Sequence, residues 1–252
     1  MDDIVEVRNL RKEFGETVAV KDISFSVKRG EIFGLLGPNG AGKTTTIHMM
    51  LGLTRPSHGQ IKIFGQDLEK HRVEILERCN FASAYVYLPW NLKVWENLYI
   101  FSEIYCVKNP KERINYLLDL FEITKLKNHI TGTLSAGEQT RLNLCKAFLN
   151  EPEVLLLDEP TASLDPDLAD KVRKILRQLQ KEKSITVINT SHNMLDVTEL
   201  CDRIVFVHNG EMIAEGKAHE LMEKFGSASL EEVFITIARS GNMSSENLGS
   251  GI

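Results

Sequence analysis

Gly37-Pro38-Asn39-Gly40-Ala41-Gly42-Lys43-Thr44-Thr45 is the stretch on which the reading of this chain turns. It fits the phosphate-binding pattern G-x-x-x-x-G-K-[ST], with Gly37, Gly42, Lys43 and Thr44 at the fixed positions. The glycines let backbone N–H groups wrap a chain of phosphates. Lys43 can reach the β- and γ-phosphates, and the Thr44 hydroxyl can hold Mg²⁺. The flanks agree. Ile32-Phe33-Gly34-Leu35-Leu36 reads as a buried strand feeding the loop, and Thr44 to Leu53 reads as a helix whose N-terminus points at the anion. These residues imply that the chain binds a nucleoside triphosphate.

Upstream, residues 4 to about 36 alternate short apolar runs with the turn signals Glu13-Phe14-Gly15-Glu16 and Lys28-Arg29-Gly30-Glu31, which predicts antiparallel strands leading into the loop. Residues 61–65 read as another short strand. From about 84 to 148 the period changes: Ile114, Leu117, Leu118 and Phe121 recur at i, i+3, i+4, i+7, the mark of a helical subdomain inserted into the core. Val154 to Leu157 reads as a buried strand ending in Asp158-Glu159-Pro160. A helix follows, with Asp165 as N-cap, Pro166 as first residue and Leu168, Val172, Ile175, Leu176 and Leu179 on its apolar face. Strands are expected at 184–189 and 203–207, and a last amphipathic helix through Leu230, Val233, Phe234 and Ile237. Strands alternating with helices imply a largely parallel sheet. The fold class is α/β: a phosphate-loop NTPase core with a mostly parallel sheet, an N-terminal antiparallel β-subdomain and an inserted helical subdomain. The tail after Arg239 is polar and is expected to be disordered.

Composition narrows the function. A chain of 252 residues suffices for one large α/β domain with a subdomain. A net charge of −5 with no dominant basic stripe argues against a nucleic-acid partner. The four cysteines, Cys79, Cys106, Cys145 and Cys201, form no C-x-x-C pair and read as buried small hydrophobes of a reducing compartment. The acidic start, Met1-Asp2-Asp3-Ile4, does not resemble a signal peptide, and no window approaches the roughly 18 apolar residues of a membrane span, so work at a membrane would go through a partner.

A phosphate loop alone fits kinases, GTPases and many ATPases. Two further constellations narrow the choice. In Leu155-Leu156-Leu157-Asp158-Glu159, a carboxylate at the end of a buried strand can orient Mg²⁺ and the next can polarise an attacking water, worth ~10²–10⁴ in rate. In Leu134-Ser135-Ala136-Gly137-Glu138, Ser135 and Glu138 have capping-box spacing, so a helix opens there, and its N-terminus with Ser135 and Gly137 can bind a γ-phosphate.

With these three motifs in order, the chain resembles an ATP-binding cassette (ABC) ATPase subunit of the transporter superfamily over about residues 4–220. The resemblance implies ATP and Mg²⁺ as ligands and a head-to-tail dimer in which the Leu134–Glu138 signature of one subunit completes the ATP site of the other. It implies that Phe14 stacks on adenine, that Gly37 to Thr45, with Lys43, hold the phosphates, that Thr44 and Asp158 lie on the Mg²⁺ side and that Glu159 is the catalytic base. Ser163-Leu164-Asp165 match the loop that crosses the dimer interface, and His192 matches the histidine that contacts the γ-phosphate. It further implies a membrane permease as partner, a place at the cytoplasmic face of the membrane held only through that permease, and an ATPase domain over 1–220 followed by a short helix and tail over 221–252.

The chain departs from the family pattern in two places. The signature usually reads L-S-G-G-Q, whereas Ala136 and Glu138 stand here. Glutamate places a negative charge near a triphosphate, unless it folds back onto its own helix start through the capping box. Upstream of Leu92-Lys93-Val94-Trp95-Glu96-Asn97-Leu98, where the family carries a glutamine that touches Mg²⁺ and the attacking water, this chain has Ala84 or Ser83. A single cassette without spans or a large C-terminal regulatory domain points to the ATPase of an exporter. A soluble assembly-machinery ATPase is the alternative, and a nucleotide-binding regulator with impaired hydrolysis is a third reading, opposed by the intact Lys43, Asp158, Glu159 and His192. Both tryptophans, Trp90 and Trp95, fall in the segment that in this family receives the permease, and Trp90, beside Pro89 and Asn91, is the one expected to be exposed.

Overall fold

The computed structural model describes residues 3–84 and 86–237, and the chain divides into two compact units: residues up to Arg72 together with those from Thr190 on, and Val73–Asn189. The first stretch holds β1 (Asp3–Phe14), β2 (Thr17–Lys28), β3 (Ile32–Leu36), α1 (Lys43–Met50), β4 (His58–Ile63) and β5 (Gln66–Asp67). The middle holds α2 (Arg72–Leu76), β6 (Cys79–Ser83), α3 (Val94–Ile104), α4 (Pro110–Leu120), α5 (Ala136–Ala147), β7 (Val154–Asp158), α6 (Pro166–Lys183) and β8 (Thr186–Ser191). The last stretch holds α7 (Met194–Leu200), β9 (Arg203–His208), β10 (Glu211–Gly216) and α8 (Ala218–Phe225), followed by a helix, α9, over residues 230–237.

In the first unit the strands run in the order β5-β4-β1-β2-β10-β9-β3. β1 and β2 form the antiparallel hairpin that the turn signals predict, closing with Phe14 opposite Thr17. Val5, Val7 and Leu10 of β1 and Val20, Ile23 and Val27 of β2 are buried, and the register shifts after Val7 and Leu10 interrupt the two-residue alternation of the covered face. β3 corrects the expectation of a continuous antiparallel set. Every residue of β3 is buried, and it pairs parallel with β9, Leu36 opposite Phe206. A continuous apolar run is the sequence of a strand covered on both faces, which suits a parallel position better than a hairpin. The helix expected to reach Leu53 ends at Met50. Gly52, at φ +63°, stops it, its N–H donating to Met49 O. The strand expected over 61–65 runs from His58 to Ile63, because Phe64 and Gly65 both take positive φ and turn the chain into β5. The final helix is present over residues 230–237, with Leu230, Val233 and Ile237 buried and the Phe234 ring 6.4 Å from Phe206. The tail expected to be disordered lies outside the described residues.

In the second unit the strands run β8-β7-β6, and β6 pairs parallel with β7 from Cys79↔Val154 to Ser83↔Asp158. Helices α3, α4 and α5 lie in the interval where the helical period appears. α6 begins as its sequence specifies: Asp165 Oδ1 accepts from Leu168 N at 3.0 Å, and Pro166 follows. Such a cap is worth ~1 kcal/mol. Its buried residues are Ala169, Val172, Arg173, Leu176 and Leu179, each large apolar member contributing about 1.5–3 kcal/mol by leaving water. Three cysteines are buried as expected, but Cys106 is exposed, just beyond the end of α3 at φ +52°. No described helix is long and apolar enough to cross a membrane.

Candidate nucleotide site

The loop between β3 and α1 is shaped by backbone that tolerates no side chain. A Cβ on Gly37 would lie 2.2 Å from the Val207 carbonyl oxygen. Gly42 sits at φ +100°, and a Cβ there would lie 2.6 Å from the Ala19 carbonyl oxygen. Non-glycine residues are excluded twice at Gly42, by contact and by conformation. The ammonium of Lys43 is held against the loop, donating to Gly37 O at 2.6 Å and Pro38 O at 3.1 Å, although the side chain is largely buried. Ala41 is tied at both backbone groups: its N–H donates to Pro38 O and its carbonyl accepts from Gly210 N. Helix α1 starts with Gly42 as N-cap, which has no side chain to cap with, and no acid lies in its first turn. Thr46 is the first helical residue whose N–H reaches back into the helix, to Gly42 O at 2.9 Å, while Thr44 is exposed ahead of it. Donors, dipole and a cation converge where a negative ligand would sit, so these residues fit a polyphosphate.

Phe14 and His192 belong to the same unit as this loop. Phe14 ends β1 and is 52% exposed, with the Lys12 ammonium 4.8 Å from the centre of its ring. His192 follows β8 and is exposed. The turn around it is set by Ser191 Oγ, which accepts from Asn193 N, and by Asn193 Oδ1, which caps α7 through Leu195 N.

The other sequence-predicted residues belong to the second unit. β7 is buried throughout and delivers Asp158 at its end, where the Asp158 carbonyl accepts from Ala84 N at 3.2 Å. Glu159 is only 8% exposed and takes φ +55°. Left-handed backbone costs an ordinary residue about 1–2 kcal/mol, and Pro160 after it would by itself favour extended backbone. The left-handed backbone is shared with other described residues, such as Glu122 and Glu151, but at Glu159 it falls on a buried carboxylate. The signature helix α5 begins with the predicted capping box. Glu138 Oε2 accepts from Ser135 N and Ser135 Oγ, both at 2.8 Å, and Glu138 N donates weakly to Ser135 Oγ at 3.4 Å. The Ser135 backbone N–H, then its hydroxyl, hold the Glu138 carboxyl below the usual carboxylate range. Gly137 lies against the 163–165 loop: a Cβ there would approach Ser163 O to 3.3 Å.

Two side chains escaped the sequence reading. Asn143 is buried on α5 and its Nδ2 donates to Val86 O at 2.6 Å and Ser83 O at 3.3 Å, strapping the backbone where the family's glutamine is missing. Its only signal is a polar residue between the buried Leu142 and Leu144. Lys146, one turn on, carries no signal beyond its charge. Trp90 is 75% exposed as expected, and Trp95 is half-buried against Tyr99, ring centres 6.1 Å apart.

A sheet that delivers a glycine loop and a lysine to a helix start defines a phosphate-loop nucleotide-binding protein. Residues 20–162 match the family model described as ABC transporter. The chain is 37% identical over 241 residues to YbhF of Escherichia coli strain K12, a probable multidrug ABC transporter ATP-binding protein, covering 93% of this chain and 41% of YbhF. It is 37% identical to the Nod factor export ATP-binding protein I of Burkholderia orbicola strain AU 1054, over 91% of this chain and 76% of that protein. A dimeric, post-hydrolysis structure of the ATP-binding cassette MJ0796 bound to ADP and Pi matches with a TM-score of 0.76 at 25% identity, over 84% of this chain and 98% of that one. The chain belongs to the ABC transporter family, as one of its ATP-binding, ATP-hydrolysing cassettes.

Proposed function

We propose that this chain powers export of a substrate through a separate membrane-spanning permease, working at the cytoplasmic face of the membrane as a head-to-tail dimer that closes on two ATP molecules. The observation that carries the reading is the anion cradle at the start of α1, where Lys43 is held against Gly37 O and Pro38 O. Two relatives named for multidrug transport and for Nod factor export support the direction of transport. In this reading residues 1–220 are the ATPase domain, with its helical subdomain over about 84–148, and 221–252 are an appendage.

Phe14 stacks on the adenine. Backbone donors from Gly37 to Thr45 and the Lys43 ammonium hold the β- and γ-phosphates. Thr44 and Asp158 are the residues that would hold Mg²⁺, and this small set fits an ion that keeps waters and takes phosphate oxygens as its remaining ligands. Bound there, Mg²⁺ supplies neutralisation of charge on the β- and γ-phosphate oxygens. Glu159 accepts a proton from the water that attacks the γ-phosphorus; the bond to the β–γ bridging oxygen breaks, and ADP and phosphate leave. His192 donates to a γ-phosphate oxygen, and Ser135 with the Gly137 N–H of the other copy close over the same group. The exposed Trp90 is the aromatic anchor for the permease.

Glu159→Gln keeps the shape and removes the base. It is expected to lower turnover ~10²–10⁴-fold and to convert the protein into an ATP-dependent dimer by size-exclusion chromatography with light scattering. A variant that stays monomeric with ATP yet hydrolyses at the wild-type rate overturns both the base and the dimer.

A further inference from the structure

β6 and β7 end side by side within one compact unit, and their parallel pairing runs to Ser83↔Asp158. Partners across a parallel ladder point to the same face, and neighbouring strands lie about 4.8 Å apart. The Ser83 hydroxyl is therefore carried beside the Asp158 carboxyl, a span that one hydrogen bond between the two side chains can close. Both residues are only 5% exposed. A buried hydroxyl and a buried carboxyl each require partners. An ionised carboxylate only accepts, whereas a hydroxyl can donate, so the direction of a bond between them is fixed. The next residue, Ala84, brings no polar side chain to this edge.

The backbone that carries Ser83 is tied on every side. Ala84 N donates to Asp158 O at 3.2 Å, which extends the ladder one bond beyond the Ser83 pair. The Ser83 carbonyl accepts twice, from Val86 N at 3.4 Å and from Asn143 Nδ2 at 3.3 Å, and the same Nδ2 donates to Val86 O at 2.6 Å. One turn along α5, Lys146 Nζ donates to Phe81 O at 3.0 Å and to Asn80 Oδ1 at 3.2 Å. Two polar side chains of one helix thus grip the last residues of β6, and Asn143 is itself buried. A strand end bound this way cannot swing its hydroxyl clear of the neighbouring strand. Orientation of a metal-binding carboxylate by a hydrogen bond from outside the ligand set is a general device, and loss of such a partner costs about 10–100-fold in metal affinity or activity.

We propose that Ser83 is a positioning residue for Asp158: its hydroxyl donates to one carboxylate oxygen and turns the other toward the cation of the proposed site, while Asn143 holds the strand end that presents it. The inference rests on the reading of Asp158 as a Mg²⁺-side acid. The probe is Mn²⁺, titrated into the full-length protein with ADP and followed by electron paramagnetic resonance. Ser83→Ala is expected to weaken Mn²⁺ binding about tenfold or more and to lower kcat by a similar factor, with ADP affinity in EDTA unchanged. Ser83→Thr keeps the hydroxyl and is expected to return both to the wild-type values. In an Asp158→Asn background, Ser83→Ala is expected to add no further loss, because Ser83 acts only through that carboxylate. A Ser83→Ala protein that melts lower yet binds Mn²⁺ as the wild type does makes Ser83 a structural hydroxyl and overturns this inference alone, as does a full additional loss in the Asp158→Asn background. Should Asp158→Asn by itself bind Mn²⁺ like the wild type, Asp158 does not serve the cation, and the metal assignment under the proposed function falls together with this inference.

Discussion

The starts of α1 and α5 are both read as phosphate sites, yet they are finished in opposite ways. α1 begins at a glycine, has no acid in its first turn and carries a lysine against its loop. α5 begins at a serine and supplies its own anion, Glu138, whose carboxylate accepts two hydrogen bonds from Ser135. A helix N-terminus presents unsatisfied donors and partial positive charge. At α1 no capping side chain and no first-turn acid answers that demand; at α5 Ser135 and Glu138 answer part of it from within the chain. In the proposed function the first helix start is therefore a binding site in isolation, and the second a surface that a phosphate meets with the helix already capped.

The comparison is most exposed to breakage at Lys43. Lys43→Ala removes the cation from the α1 cradle and leaves the polyphosphate under-compensated. Mg-ATP binding, followed by titration with a fluorescent nucleotide, is expected to be lost, and turnover to fall about 10²–10³-fold or more. Wild-type turnover in this variant would mean that the α1 start is a structural turn and not a phosphate site.

A smaller and more selective effect is expected at α5. Ser135→Arg removes the cap and fills the surface. Loss of an N-cap costs ~1 kcal/mol, which in a chain of this size lowers the melting temperature by about 2–4 °C. ATP affinity of the isolated subunit is expected to change little, while hydrolysis falls about 10²-fold, because in the proposed dimer the spoiled site belongs to the opposite copy. A collapse of single-subunit affinity would place Ser135 in its own chain's pocket and erase the distinction between the two helix starts.

What the sequence disclosed follows the same division. Positions fixed by backbone contact or local hydrogen bonding were legible: Gly37 and Gly42 because side chains there meet carbonyl oxygens, Asp165-Pro166 because caps are local, and Ser135 with Glu138 because a capping box spans only three residues. β10 was missed because its burial pattern is mostly exposed, with only Ala214 inside. Its signal lay one step earlier, in Asn209-Gly210, both at positive φ, the hairpin dipeptide that turns β9 back into β10. The parallel pairing of β3 depended on β9, some 170 residues away in sequence, which no local period can report. Lys146 and Asn143 are defined by what lies across from them in the fold, so their spacing along α5 said nothing about the end of β6 that they hold.

The finest test of the comparison substitutes the glutamine that the family usually carries. In Glu138→Gln the side-chain oxygen can still accept from Ser135 N, so the capping box survives and only the negative charge goes. The variant is expected to fold normally. Because Glu138 is held below its ordinary value by Ser135, its contribution to stability is fully present above the unfolded-state pKa, near ~4.3, and is lost as pH falls through the lower folded-state value. Melting curves from pH 7 down to pH 3 should show the wild type losing this contribution below about pH 4, with no matching step in Glu138→Gln. In ATP-driven dimerisation and turnover, removing a like charge from the face that the proposed dimer offers to the triphosphate should raise affinity for the second copy by about two- to five-fold at low salt, the range of a screened helix-terminus charge, and less at high salt. If Glu138→Gln instead weakens dimerisation, the carboxylate is contributing a contact of its own to the partner, and the α5 start would then be a completed half of the interface rather than a helix end that merely satisfies itself.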